Sequence, residues 1–162
     1  MRVHIRSARH FALGLGLALA LPATAALAET SAQTGAASIA KPAKLASSAV
    51  TAALASSAAH HSDEGGAAVS DLPQLHSADK KFMSGAYAVA GPNHDSFTGT
   101  GYPVNEFMVF LSGGVTLTSA DGTVLEVKAG DAVSIPKGWL GRWDSAGYQK
   151  FYVVYDPEKP VE

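Results

Sequence analysis

The chain contains no cysteine among its 162 residues. Disulfide bonds, thiol nucleophiles and thiolate metal sites are therefore excluded, and a folded domain must be stabilised by its packed core alone. Long apolar runs are also scarce. The one clear run, Phe11–Leu21, is shorter than the ~20 residues that span a bilayer, and no second one follows it. These absences argue against a disulfide-rich scaffold and against a membrane-spanning protein.

The first 28 residues have the parts of a secretory signal peptide. Arg2, Arg6 and Arg9 give a basic start, the apolar run follows, and Ala26-Leu27-Ala28 forms an A-x-A cleavage site. We therefore predict that residues 1–28 are removed, and that the mature protein is periplasmic or secreted and does not associate with the membrane. The alternative is a retained membrane anchor.

Basic residues are few in the predicted mature chain. Three of the twelve Lys and Arg residues lie in the signal peptide, which leaves nine against fourteen Asp and Glu residues. A net negative chain is a poor partner for phosphate backbones and anionic lipids. We therefore expect no nucleic acid among its partners.

Large aliphatic and aromatic side chains are nearly missing between residues 29 and 68. A stretch of Ala, Ser, Thr and Gly buries too little apolar surface to offset the entropy lost when its backbone is ordered. We predict that residues 29–68 form a low-complexity, disordered linker. His60 and His61 lie in it, close to Asp63 and Glu64. Side chains on a disordered segment have no fixed geometry, so no metal ligand is assigned there.

Residues 69–162 are long enough for one small domain, and β patterns run through it. The segments EFMVFLS and GVTLTSA predict two strands joined by a tight hairpin at Ser112-Gly113-Gly114, and Asp121-Gly122 marks a further turn. GTVLEVKAG, DAVSIP and QKFYVVYD predict later strands, and KFMSGAYAVAG predicts an earlier strand or two ended by Gly91-Pro92. Short strands separated by Gly and Pro predict an all-β antiparallel sandwich or barrel.

The order of these motifs resembles the cupin superfamily. NEFMVFLSGGVTLTSADG, which contains Glu106 and Gly113, is similar to the first cupin motif, and AGDAVSIPKGWLGRW is similar to the second. Together with QKFYVVYD they resemble the small single-domain branch related to ureidoglycine aminohydrolase and the ethanolamine-utilisation cupins. The resemblance covers Lys80 to Asp156 and implies a single cupin-type jelly-roll barrel.

The resemblance also implies a metal site, yet most of its ligands are missing. Cupin motifs usually place two histidines shortly before the glutamate, where this chain has residues 100–102, and another in the second motif, where it has Gly141. Only Glu106 is retained, and one carboxylate does not hold a transition metal tightly. We therefore predict no metal and no other cofactor. The alternative is a divalent metal held by Glu106 and His94.

Alternation with a period of two places Glu106, Met108 and Phe110 on one face of their strand. The resemblance implies that this face looks into the barrel. A buried carboxylate needs a partner, because an unpaired buried charge is costly and would take up a proton instead. The candidate partners are Lys150, Arg142, Tyr102 and Tyr152.

Aromatic residues add an apolar lining to this predicted opening. Trp139, Gly141 and Trp143 alternate on one face, so ring surface stands where the resemblance implies a histidine. Rings with a few polar groups in a concave opening are typical of a small-molecule site. We predict a ligand site formed by Glu106, Tyr102, Met108, Trp139, Trp143, Lys150 and Tyr152. The alternative is a structural bridge between Glu106 and Lys150, with Trp143 filling the core.

Three functions remain open from the sequence. The first is an exported, metal-free cupin that binds a small polar or amine-bearing molecule. The second is a metal-dependent enzyme similar to ureidoglycine aminohydrolase, and the third is a non-catalytic structural protein of the cell envelope. The opposite strand face, formed by Phe107, Val109 and Leu111, is also apolar and predicts a homodimer.

Overall fold

The computed structural model describes residues 41–161, and from Ala43 onward these residues belong to one compact unit. The predicted signal peptide and residues 29–40 of the predicted linker lie outside the described residues. A 3-10 turn at Ser47–Ala49 leads into the short helix α1, Val50–Leu54. The strands are β1 (His60–Glu64), β2 (Ala67–His76), β3 (Phe82–Phe97), β4 (Asn105–Ser119), β5 (Val124–Lys128), β6 (Ala132–Ile135) and β7 (Gly141–Tyr155). Within residues 41–161, no helix is both long and apolar enough to cross a membrane.

The strands form one antiparallel sheet in the order β1-β2-β3-β7-β4-β5, with β6 paired to β4. The two longest pairings are β3 with β7 and β7 with β4, so the last strand lies at the centre of the sheet. The all-β prediction is confirmed, and the architecture is consistent with a cupin barrel.

The long strands change register partway along their length. β3 shifts against β7 between Ala90 and Asn93, and β4 shifts against β7 between Phe110 and Thr116. On β4 the even-numbered Phe110 is buried before the shift and the odd-numbered Val115 is buried after it. The irregularity on β4 thus lets both halves of that bent strand present side chains to the same core.

The hairpin predicted at Ser112-Gly113-Gly114 is wrong, because β4 continues through these residues. Gly113 has φ +64°, and a Cβ atom there would overlap the carbonyl oxygen of Gly147 on the neighbouring strand. The glycine therefore bends the strand at a close backbone approach and does not reverse it. Gly91-Pro92 likewise lies inside β3 and does not end it.

The prediction of disorder is wrong for the described part of the linker. Val50 and Leu54, four residues apart on α1, are buried with Leu72 and Ala86 in a small core on the outer side of the sheet. A short apolar helix face is stable here because the folded sheet supplies a surface for it. β1 pairs with β2 through Gly65-Gly66, where both residues have positive φ as a tight two-residue hairpin requires.

The outer face of β4 is covered only in part. Leu111 packs against the same small core as α1, whereas Phe107 is 47% exposed. The predicted inner face, with Glu106, Met108 and Phe110, is confirmed, since all three are buried. The homodimer stays a prediction.

Candidate functional site

A buried ion pair lies at the centre of the inner face. Glu106 on β4 is 3% exposed and Lys150 on β7 is fully buried. The Lys150 Nζ atom donates to Glu106 Oε1 at 2.7 Å, and the Tyr102 hydroxyl donates to Glu106 Oε2. Both carboxylate oxygens are therefore bonded within the protein.

Strand register explains how this pair meets. Lys150 lies opposite Phe110, and Glu106 lies four residues before Phe110 on the same strand. The long lysine side chain reaches along the inner face past Met108, whose sulfur lies 3.7 Å from Nζ. Lys150 and Tyr102, two of the four candidate partners of Glu106, are thus confirmed as its partners.

Aromatic rings surround the ammonium group. Nζ of Lys150 lies 5.3 Å from the ring centroids of Tyr87 and Trp143, and 5.7 Å from that of Tyr148. The negative faces of aromatic rings attract a cation, more strongly where water is excluded. The rings and Glu106 together compensate for part of the hydration that Lys150 loses.

The tyrosines of this interior are neutral phenols and not phenolates. Burial raises the pKa of Tyr102 and of Tyr148 well above the ordinary value, and the negative charge of Glu106 acts in the same direction. Burial likewise raises the pKa of Tyr87 and Tyr152. All four hydroxyls therefore stay protonated across the physiological range.

A second carboxylate, Asp71 on β2, was missed by the sequence reasoning. The Tyr152 hydroxyl donates to Asp71 Oδ1 at 2.9 Å, so Tyr152 is not a partner of Glu106. Gly85 lies between these strands, and a Cβ atom there would come within 2.8 Å of the Tyr152 oxygen. The available signal was the alternation Ala67, Val69, Asp71, which puts the acid on the inner face.

Asp71 makes a pH-dependent contribution to stability. Burial raises its pKa, although the hydrogen bond from Tyr152 and the charge of Lys150 oppose the rise. The folded protein thus binds this proton more tightly than the unfolded chain does. The contribution of Asp71 is favourable at low pH and is lost as pH rises from about 4, where an unfolded Asp titrates, through the folded pKa.

We expect Asp71→Asn to remove this dependence. We compare the free energy of unfolding of the wild type with that of the variant. The wild-type value minus the variant value should fall as pH rises from about 4 to the folded pKa of Asp71, and should stay constant above it. Urea titrations across the acid range measure this difference. Asp121→Asn is the control, because hydrogen bonds from Thr123 lower the pKa of Asp121. For this variant, the free energy of unfolding of the wild type minus that of the variant should rise with pH. A flat profile for Asp71→Asn would contradict the assignment.

The two tryptophans of the predicted opening contact different rings. Trp139 packs against Phe97 and Tyr102 at centroid distances of 5.8 and 6.3 Å, and its Nε1 donates to Ser119. A Cβ atom at Gly141 would overlap the Trp139 ring, so that ring fills the space beside the glycine.

Trp143 is fully buried against Phe110 and Tyr148, at centroid distances of 6.2 and 5.5 Å. Its Nε1 atom has no hydrogen-bond partner within the described part of the chain. Trp143 is thus part of the ring lining around Lys150, and Trp139 is not.

The structure does not bring His94 to Glu106. His94 Nδ1 lies 2.9 Å from Asp144 Oδ1, and the histidine side chain is 69% exposed. His94 on β3 is paired with Asp144 of β7. Glu106 on β4 is paired with Val154, ten residues further along β7. Arg142 is also at the surface, 64% exposed, with Nη2 3.9 Å from Asp144.

The residues at Glu106 do not fit a divalent metal. Such ions need three or four donors, whereas here an ammonium group and a phenol occupy the two carboxylate oxygens. Among residues 41–161, no three His, Cys, Asp or Glu side chains are placed to hold a metal together. The absence of a cofactor stays a prediction for metal analysis to test.

Comparison with known families and structures agrees with this architecture. Residues 97–152 match the family described as the EutQ-like cupin domain. Comparison with curated proteins gave no match. A protein of unknown function from Pseudomonas syringae pv. tomato, of the DUF861 family, is similar at 20% identity and a TM-score of 0.53, over 59% of this chain and 43% of that one.

Two further structures are similar at lower TM-scores. The EutQ protein of Clostridium difficile has 16% identity and a TM-score of 0.47, over 60% of this chain and 77% of that one. A Cupin 2 conserved barrel domain protein from Salinispora arenicola has 20% identity and a TM-score of 0.45, over 60% and 82%. The predicted relation to ureidoglycine aminohydrolase stays a prediction. The family match covers the glutamate strand, the Asp-Gly turn and the second motif, so residues 97–152 are similar to the EutQ-like cupin domain.

Proposed function

We propose that this chain is an exported binding protein that takes a small polar or amine-bearing molecule into its cupin barrel and needs no resident metal. The observation that carries the proposal is the buried pair of Glu106 and Lys150 inside a ring-lined interior. Export rests on the signal-peptide pattern of residues 1–28.

A buried ion pair is a poor way to stabilise a core, because apolar side chains of similar volume often do so equally well or better. The pair does, however, place a strong acceptor and a strong donor next to each other. A small molecule with adjacent N–H and C=O or hydroxyl groups can donate to Glu106 and accept from Lys150. Charge-assisted hydrogen bonds of this kind are about twice as strong as neutral ones.

Lys150 also gives Glu106 a countercharge without a metal. The ammonium group 2.7 Å away already balances the carboxylate, and a divalent ion would have to displace it. The enzyme alternative needs a metal shared by Glu106 and His94. These two residues are paired with β7 residues that lie ten positions apart, which does not support a shared metal. The structural alternative is separated from binding by experiment.

We expect purified protein to contain no stoichiometric metal and to bind a member of a small panel of polar molecules. Acetamide is the neutral probe; ethanolamine is the amine-bearing probe, chosen from the resemblance to ethanolamine-utilisation cupins. Because Glu106 and Lys150 are buried, the barrel must open for the ligand, and association should be slow. Metal analysis and calorimetric titration make these measurements.

The matched variant is Glu106→Gln combined with Lys150→Met, which removes both charges at nearly constant volume. Binding of the best probe should weaken at least about tenfold in this double variant, because one charge-assisted bond is lost at each end. Tyr155→Ser, at an exposed position of the same strand, is the control and should bind as the wild type does. A double variant with unchanged affinity would rule out the pair as the site.

A further inference from the structure

The Trp143 indole places a hydrogen-bond donor in the interior of the barrel. Its side chain is fully buried, and its Nε1 atom has no hydrogen-bond partner within residues 41–161. Asp95 and Leu117 lie opposite Trp143 on the two neighbouring strands, and neither side chain accepts its N–H. A buried donor without an acceptor costs folding free energy, so an acceptor from outside the protein is favoured there.

This donor lies beside the proposed ligand site. The Lys150 Nζ atom is 2.7 Å from Glu106 Oε1 and 5.3 Å from the centroid of the Trp143 ring. The carboxylate and the indole are therefore grouped around the same ammonium, close enough for one small molecule to contact both. Trp139 does not offer a second donor of this kind, because its Nε1 already donates to Ser119 Oγ at 3.0 Å.

Ligands of different charge differ in how they satisfy this donor. An ammonium group has only N–H donors, so it leaves the Trp143 N–H without an acceptor. A carboxylate accepts, but it adds a second negative charge beside Glu106, whose charge Lys150 already balances. A neutral carboxamide has a carbonyl oxygen that accepts from Nε1 and an N–H group that donates to Glu106, and it brings no charge into the interior.

We propose that Trp143 selects a neutral carboxamide as the ligand of the Glu106–Lys150 site, with Nε1 donating to the ligand carbonyl and Glu106 accepting the ligand N–H. This selection rests on the proposed function and narrows it, because that function leaves open the choice between a neutral polar molecule and an amine-bearing one. Trp143 thereby determines specificity, whereas Glu106 and Lys150 supply the charged hydrogen-bonding groups.

The test compares three probes of similar size: acetamide, acetate and ethylammonium. In calorimetric titrations, acetamide should bind at least about tenfold more tightly than either ion, because each ion loses a hydrogen bond or brings an unbalanced charge into the interior. Trp143→Phe removes the N–H and keeps an aromatic ring, and it should weaken acetamide binding about fivefold. Trp139→Phe is the control and should leave the acetamide affinity unchanged.

A second measurement does not depend on replacing Trp143, which would leave a cavity in the core. The chain has two tryptophans, so ¹⁵N-labelled protein gives two indole N–H signals, and Trp139→Phe assigns them. Saturating acetamide should move the Trp143 indole proton signal downfield, as a new hydrogen bond does, and should leave the Trp139 signal in place. A merely structural Trp143 would show no such change.

Equal or tighter binding of acetate or ethylammonium, or acetamide binding that leaves the Trp143 signal unmoved, would overturn this inference. The Glu106→Gln/Lys150→Met variant separates that result from a failure of the proposed function. If an ion binds the wild type and does not bind this variant, the pair is the site and only the selection by Trp143 is wrong. If no probe binds, or if the variant binds as the wild type does, the proposed function is wrong and this inference with it.

Discussion

Glu106→Gln should lower the free energy of unfolding by about 3–5 kcal/mol, the usual cost of breaking a buried ion pair from one side. Gln keeps the shape and one acceptor but removes the charge, and Lys150 stays fully buried among Met108 and three aromatic rings. Those contacts do not replace a carboxylate at 2.7 Å. Urea unfolding at neutral pH measures the loss.

Adding Lys150→Met to Glu106→Gln should recover most of that stability, because the unpaired ammonium is removed and an apolar chain of similar length fills its place. Tyr102→Phe is the matched control: it removes the second bond to Glu106 but leaves the ion pair, and should cost only ~1–2 kcal/mol. Losses that simply add in the double variant would show that Glu106 and Lys150 are not coupled.

Gly113→Ala is the second change with a large expected effect, and we expect a loss of about 4 kcal/mol or more. The residue has φ +64°, and its Cβ atom would overlap the Gly147 carbonyl, which is backbone and cannot rotate away. The substitution therefore opposes the close approach that lets β4 bend across β7.

Gly122→Ala is the matched comparison for this prediction. Gly122 also has positive φ, at +86°, but nothing lies within 4 Å of its Cβ position. Its substitution carries only the backbone strain of the left-handed region, ~1–2 kcal/mol. Thermal unfolding of both variants separates the two costs, and equal losses would contradict the packing argument at Gly113.

The stability and binding predictions for Glu106 are linked. If the pair is the ligand site, Glu106→Gln combined with Lys150→Met keeps the fold and loses ligand binding. This pattern is expected where functional residues stabilise the protein less than apolar side chains would. If the pair only stabilises the core, the double variant loses nothing that a ligand titration detects. The same protein preparation therefore decides between the binding and the structural hypotheses.

The sequence by itself determined the features that depend on local rules. Period-two alternation placed Glu106, Met108 and Phe110 on the inner face, and the Asp121-Gly122 turn separated β4 from β5 where predicted. The two motifs around Glu106 and Gly130-Asp131 resemble those of cupins, and that resemblance indicated the barrel.

Other features depend on surfaces that exist only after folding. Val50 and Leu54 form a helix face because the outer side of the sheet covers them, and a composition argument could not show that surface. Gly113 bends a strand where its sequence also suits a hairpin, and the close passage of Gly147 decides between the two.

The partners of the buried acids were decided in the same way. The sequence offered four partners for Glu106, and strand register selected Lys150 and Tyr102 while giving Tyr152 to Asp71. The register shifts change which residues of β4 and β7 face inward: Phe110 gives way to Val115 on β4, and Trp143 to Tyr148 on β7. Alternation read from the sequence does not contain that change. The tertiary structure therefore decided which of the predicted residues meet at the site, since side chains far apart in the chain come together only through register and bending.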